Sequence, residues 1–243
     1  MSPAGLGEGQ VGGSVRHFVE ELDQLNNKLL EMCTFVEAAV QRSIFAVTDK
    51  DLDAAEEVLR NEAHINQIEI EIDDFAIGLL ALQQPMASDL RLIVAALKIN
   101  TDLERMGDLA VNIAQRAKML MQAPVIRPMI DIPHIAGLVK SMVRKSIDSF
   151  VTHDAELARS VLASDTGVDN LRTANCHELI SFMQHHPDGI SQAVDLIAVV
   201  RNLERIADHS TNIAEDVLFM VKGIDVRHHA EGRQTEHNAV EPA

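Results

Sequence analysis

The chain has 243 residues, 47% hydrophobic but only 3% aromatic, with no Trp and no Tyr; that composition argues against a sandwich or barrel and for helices packed through Leu, Ile, Val, Ala and Met. Asp and Glu outnumber Lys and Arg by 37 to 21, a formal charge of −16, and such a field repels phosphate backbones and anionic lipid, which excludes nucleic acid and direct membrane insertion as first readings. Two isolated cysteines, Cys33 and Cys176, make neither a disulfide framework nor a metal knuckle; both read as small core residues in a reducing, cytoplasmic compartment.

The segment 1–14 is Gly-rich, with no basic cluster and no apolar run, and is expected to be disordered rather than a signal peptide. From Val15 the apolar positions are Phe18, Leu22, Leu25, Leu29, Met32, Val36, Ala39 and Val47, with Ser43 the one polar interruption. Steps of three and four predict one long helix, a rod of about 50 Å at 1.5 Å per residue. Thr48, Asp49 and Asp51 supply a turn with capping chemistry. A second helix follows with Leu52, Ala55, Leu59, Ile65, Ile68, Ile72, Phe75, Leu79 and Leu82 on its inner side, ending at Gln84-Pro85. Ser88 and Asp89 are candidate caps for a third helix reaching about Met121. The longest uninterrupted apolar run, Leu92 to Leu97, is far short of the roughly 20 residues of a membrane span.

Pro124, Pro128 and Pro133 stiffen a connector over 122–134, the candidate boundary between halves. The helical pattern restarts over about Ile135–Thr152, then Ala155–Gln184, then Gly189–Lys222. Residues 223–243 are polar and aperiodic, so a disordered tail is expected, and His228, His229 and His237 read as part of it rather than as a built metal site. The resulting fold class is all-α: six helices in two tandem three-helix bundles, 15–121 and 135–222.

The halves are copies of one unit. DLERMGDLAVNIAQRA, beginning at Asp102, and NLERIADHSTNIAEDV, beginning at Asn202, share seven of sixteen positions. Upstream, at a spacing of 103, Val40, Ser43, Ile44 and Asp51 answer Val143, Ser146, Ile147 and Asp154; Val58-Leu59 and Ile65-Asn66 answer Val161-Leu162 and Val168-Asp169. Leu103, Ile113 and Ala114 recur as core residues would. Glu104, Arg105, Asp108 and Asn112 are not core types, yet they recur as Glu204, Arg205, Asp208 and Asn212.

Glu and Asp four apart on a helix lie one above the other, with Cβ atoms about 6 Å apart, and repel by a few tenths of a kcal/mol. A cation between them reverses the sign, and Asn one turn on adds a neutral oxygen. Mg, Mn or ferrous iron accept such ligands. The same residues are equally compatible with a solvated face balanced by Arg105 and Arg205, and a common ancestor preserves salt bridges as readily as metal sites. Glu69-x-x-x-Asp73 is a further pair, but its counterparts are Arg172 and Cys176, so that pair belongs to the first half alone. No Gly-rich phosphate loop, zinc-spaced cluster or serine elbow is present. His209, beside Asp208 and matched by Leu109, reads as an incidental neighbour.

The segments SDLRLIVAALKINTDLERMGDLAVNIAQRA and NLERIADHSTNIAEDV, in a tandem repeat of about 100 residues, resemble the PhoU family of phosphate-specific transport system accessory proteins. The resemblance covers about Phe18 to Lys222. It implies two three-helix bundles side by side, with divalent metal ions (Mg, Mn, Fe or Zn) on carboxylate motifs carried by Glu104 and Asp108 and by Glu204 and Asp208. Asn112 and Asn212 are companions, with Glu69 and Asp73 as a second tier. It implies no enzyme but a cytoplasmic negative regulator of the phosphate-starvation response, acting as a homodimer. Its implied partners are a phosphate ABC transporter and a sensor histidine kinase. The alternatives from other classes are a helical metalloenzyme using the carboxylate stripes and a metal-free acidic scaffold.

Overall fold

The computed structural model describes residues 8–224, with side chains from His17 onward. The expectations for residues 1–7 and 225–243, including the three tail histidines, lie outside the described residues. Among the described residues, seven α-helices form six rods: α1 (Glu8–Thr48), α2 (Leu52–Gln83), α3 (Ala87–Gln122), α4 (Ile132–Thr152), α5 (Ala155–Leu162), α6 (Asp165–His185) and α7 (Ile190–Lys222). A 3-10 turn, Pro187–Gly189, leads into α7. Among the described residues there is no strand and no helix long and apolar enough to cross a membrane.

The seam of α1 buries Leu25, Leu29, Met32, Val36 and Ala39, and Ser43 is buried with them. The Ser43 hydroxyl donates to the Val40 carbonyl at 2.8 Å, so the one polar residue of the seam leaves no open donor. Ser146 repeats this with Val143, also at 2.8 Å. The first turn of each half matches to the same depth. Lys50 and His153 take left-handed φ of 56° and 53°. Asp51 then caps α2 by accepting Ala54 N–H, and Asp154 caps α5 by accepting Glu156 and Leu157 N–H.

Several boundaries depart from the sequence reading. Helix α1 begins at Glu8, so residues 8–14 of the expected disordered N-terminus are helical. Leu52 and Leu82, expected to face inward, are exposed. The N-cap of α3 is Met86, without a side-chain cap; Ser88 and Asp89 sit inside the first turn, where Asp89 still complements the helix dipole. Helix α4 starts at Ile132, three residues before the expected Ile135, because Asp131 caps it by accepting His134 N–H at 3.0 Å and Pro133 suits its first turn. The rod expected over Ala155–Gln184 is broken into α5 and α6. At Ala163–Ser164 the bonding tightens, with Ser164 N–H reaching Val161 and Gly167 N–H reaching Ser164.

The bundles are not separate bodies. One continuous core runs from Leu25 to Met220 with contributions from every helix. The most extensive packing is between α3 and α7, the two helices carrying the repeated motif. They cross antiparallel, since Lys98 meets Asp216, Asp102 meets His209, and Arg116 meets Asp195. Those contacts centre the crossing near Met106 and Ile206, matched residues that are both fully buried. The connector is tied to the second half, where Asn175 accepts Asp131 N–H and Gln192 donates to the Pro124 carbonyl. Gly223, at φ 68°, ends α7 with its N–H on the Phe219 carbonyl.

Candidate functional site

Because α3 uses one face for α7, its Glu104 and Asp108 turn towards α2, where Glu69 and Asp73 stand four residues apart. The four carboxylates form a cluster across the α2–α3 groove. Burial, and then Asp73, raise the Glu69 carboxyl above its ordinary value, with Arg105 opposing. Burial, and then Asp108, raise Glu104, again against Arg105. Arg105 leans along its own helix, 3.4 Å from Glu104 and 3.8 Å from Asp108, with its side chain 59% exposed. Beneath the cluster, Asn100 is fully buried. Its Nδ2 donates to Asp73 Oδ1 at 3.0 Å and to the Glu69 carbonyl at 2.9 Å, and its Oδ1 has no hydrogen-bond partner.

The second half builds a cluster too, but from different positions. Glu204 and Asp208 of α7 turn towards α6, whose Asp165 and Asp169 complete the set. Burial, and then Glu204, Asp165 and Asp169, push the Asp208 carboxyl up to about 6, with His209 opposing. Burial, and then Asp169 and Glu204, raise Asp165. Arg172 of α6 reaches into this groove, with Nε 3.3 Å from Glu204 Oε1 and its terminal nitrogen 3.6 Å from Asp169. Cys176 lies a turn further on, its thiol raised by burial; Cys33 is deep in the core, its thiol pushed up to about 12 by burial and then by Glu37.

The structure thus brings Glu69, Asp73, Glu104 and Asp108 together, and likewise Glu204 and Asp208. It does not treat the two asparagines alike. Asn112 is exposed. Asn212 donates its Nδ2 to Asp102 Oδ1 at 3.0 Å, and His209 Nδ1 lies 2.7 Å from the same oxygen. Asn212 and His209 therefore hold Asp102 across the α3–α7 crossing; His209 is a link between halves rather than an incidental neighbour. Asp165 and Asp169 were missed in the sequence. Their four-residue spacing was visible, but the repeat register pointed to Arg172 and Cys176 instead.

The donors are all carboxylate oxygens, the chemistry that hard divalent cations take. Among the described residues, no three His, Cys, Asp or Glu side chains are arranged to hold a single ion as they stand. In the first half Arg105 lies alongside Glu104 and Asp108 with its side chain 59% exposed. In the second half, Arg172 stands between the carboxylates.

The family model described as the PhoU domain matches residues 29–117 and 132–217, one match to each half of the structural repeat. The chain is 40% identical over 214 residues to a protein of Pseudomonas aeruginosa named phosphate-specific transport system accessory protein PhoU homolog, covering 88% of each. It is 37% identical to the homolog of that name from Aquifex aeolicus, over 86% of this chain and 95% of the relative. The crystal structure of PhoU from Pseudomonas aeruginosa superposes with a TM-score of 0.82 at 39% identity, covering 85% of this chain and 100% of that one. The crystal structure of the phosphate transport system regulatory protein PhoU from Streptococcus pneumoniae superposes with a TM-score of 0.78 at 28% identity, over 86% and 99%. With both halves matched by the family model and relatives aligned over nearly their whole length, the chain belongs to the PhoU family.

Proposed function

We propose that this chain is an accessory protein of phosphate-specific transport that represses phosphate uptake and the phosphate-starvation response when phosphate is plentiful. It does so from the cytoplasm, as a homodimer, by contacting the phosphate ABC transporter and a sensor histidine kinase. The single observation that carries the reading is the alignment over 88% of both chains with a relative named for that transport system. The relatives are named as accessory proteins rather than enzymes, and no turnover belongs to this reading. A net charge of −16 suits docking on basic partner surfaces. A divalent cation at a carboxylate cluster would neutralise side chains such as Glu69 and Glu104, which burial and neighbouring acids already hold above their ordinary carboxylate range.

Deleting the gene in its host and measuring alkaline phosphatase in high-phosphate medium tests the regulatory role. Loss of repression is expected, restored by the gene in trans. Normal repression in a strain with no second copy overturns it. The metal reading has its own test in melting with added Mn or Mg. An ion binding only the folded state stabilises it by about 2.7 kcal/mol at 100 times its dissociation constant. An unchanged melting temperature overturns that part.

A further inference from the structure

The spacing read from the sequence recurs in the burial, backbone and capping of the two halves. Along the second rod of each half, Val58 and Val161, and Ile65 and Val168, are buried in pairs 103 apart. The left-handed Lys50 and His153 and the capping Asp51 and Asp154 keep the same register. Position for position, then, Glu69 of the first cluster is replaced by Arg172 and Asp73 by Cys176. Across the groove, at the motif helix's own spacing of 100, Asn100 is replaced by Val200, and both are fully buried.

These replacements act together. In the first half a buried amide grips a carboxylate, and its own oxygen is left without a partner beside the cluster. In the second half the matching pair is Cys176 and Val200, which offers neither the amide nor the carboxylate. Glu to Arg at one position also changes the local charge by two, and the arginine is not a passive neighbour. Arg105 and Arg172 differ in where they reach. Arg105 contacts acids of its own helix and stays in water. Arg172 crosses from α6 to Glu204 on α7 while also pairing with Asp169, with its side chain only 35% exposed and its Nε buried. The guanidinium occupies the groove between the facing acids.

Building on the proposed metal reading, we infer that the two clusters are unlike sites. The first, Glu69, Asp73, Glu104 and Asp108, takes the divalent cation. The second, Asp165, Asp169, Glu204 and Asp208, is closed by Arg172, a resident cation supplied by the chain itself. An incoming ion at the second cluster would have to expel a guanidinium that then remains nearby as a like charge. The chain therefore loads metal asymmetrically, and the second half holds α6 to α7 whether or not metal is present.

The test is a titration of the full chain with Mn(II), reading free Mn(II) by its EPR signal. Two near-isosteric variants separate the halves: Glu104→Gln with Asp108→Asn, and Glu204→Gln with Asp208→Asn. Binding is expected to fall at least tenfold in the first and to change less than twofold in the second. Arg172→Glu, which restores the acid found at the matching position, is expected to add a second equal load of Mn(II), and Arg172→Gln to add a weaker one. Circular dichroism at 222 nm confirms that each variant is folded. Equal losses from the two double variants overturn the inference and leave the metal reading standing. No Mn(II) bound by the unsubstituted chain overturns both.

Discussion

Replacing Asp208 with Asn in metal-free protein should raise stability, and the gain should depend on pH in a defined direction. Burial together with Glu204, Asp165 and Asp169 lifts this carboxyl from 3.8 to about 6 in the folded chain. Between those values the folded state keeps a proton that the unfolded state has released. Stability therefore falls as pH rises from about 4 to about 6, and the whole cost of the ionised group is present above that window. Asn carries no such cost. The gain from the substitution should be small near pH 4, grow through pH 5 and 6, and level off towards pH 7. At 1.36 kcal/mol per pH unit the full lift would be worth about 3 kcal/mol. Asp208 is water-accessible, so screening reduces this to about 1 kcal/mol. For a chain of this size that is a rise of roughly 2–4 °C in Tm. Thermal unfolding followed at 222 nm, in EDTA, at four pH values from 4.5 to 7.5, reads it directly. A difference between variant and parent that stays flat or shrinks as pH rises would refute the account of Asp208 as a carboxylate raised by burial and by Glu204, Asp165 and Asp169.

Three further outcomes test the scaffold. Asp154→Ala removes the acceptor for Glu156 and Leu157 N–H at the start of α5 and should cost about 1 kcal/mol, seen as a lower urea midpoint with unchanged slope. Phe150→Ala empties a fully buried position on α4 and should cost about 3–5 kcal/mol by the same measurement. Gly223→Ala forces a Cβ into φ 68° at the end of α7 and should cost about 1 kcal/mol, read from the melting temperature.

Most of the fold was legible because its causes are local and periodic. The seam of α1 shows in the spacing of Leu25, Leu29, Met32 and Val36, and the structure buries all four. Repetition gave the halves, since a serine at 43 and 146 or an aspartate at 51 and 154 does the same work in each copy. Misplaced boundaries have equally local reasons. Asp131 with Pro133 starts α4 earlier than the apolar pattern suggests. Ser160 and Ser164 accompany the break between α5 and α6, where the Ser164 hydroxyl bonds the Ser160 carbonyl and competes with the regular ladder. That the halves share one core through α3 and α7 was not legible, because each motif helix is buried on two faces and periodicity does not say which neighbour covers which face.

The candidate site was legible on one helix of each half and not on its partner. A run such as Glu104-x-x-x-Asp108 fixes its own geometry, because residues four apart must share a helix face. Which acids oppose it depends on where the facing helix crosses, and that is a property of packing. Position-by-position matching of the repeat gave Arg172 and Cys176 as partners and suggested an impoverished second cluster. The structure supplies Asp165 and Asp169 from seven residues earlier, two turns back on the same face of α6 and within electrostatic reach of Asp208. Repeat matching was right that Arg172 replaces Glu69, and it missed that the neighbouring turns restore the negative charge. The same limit hid His209 and Asn212, whose partner Asp102 is more than 100 residues away and is brought to them only by the antiparallel crossing of α3 and α7. A duplicated sequence predicts duplicated backbones with some security. It does not predict duplicated chemistry, because a cluster built across a groove can lose an acid at one level and recover it at another while every core position stays in register.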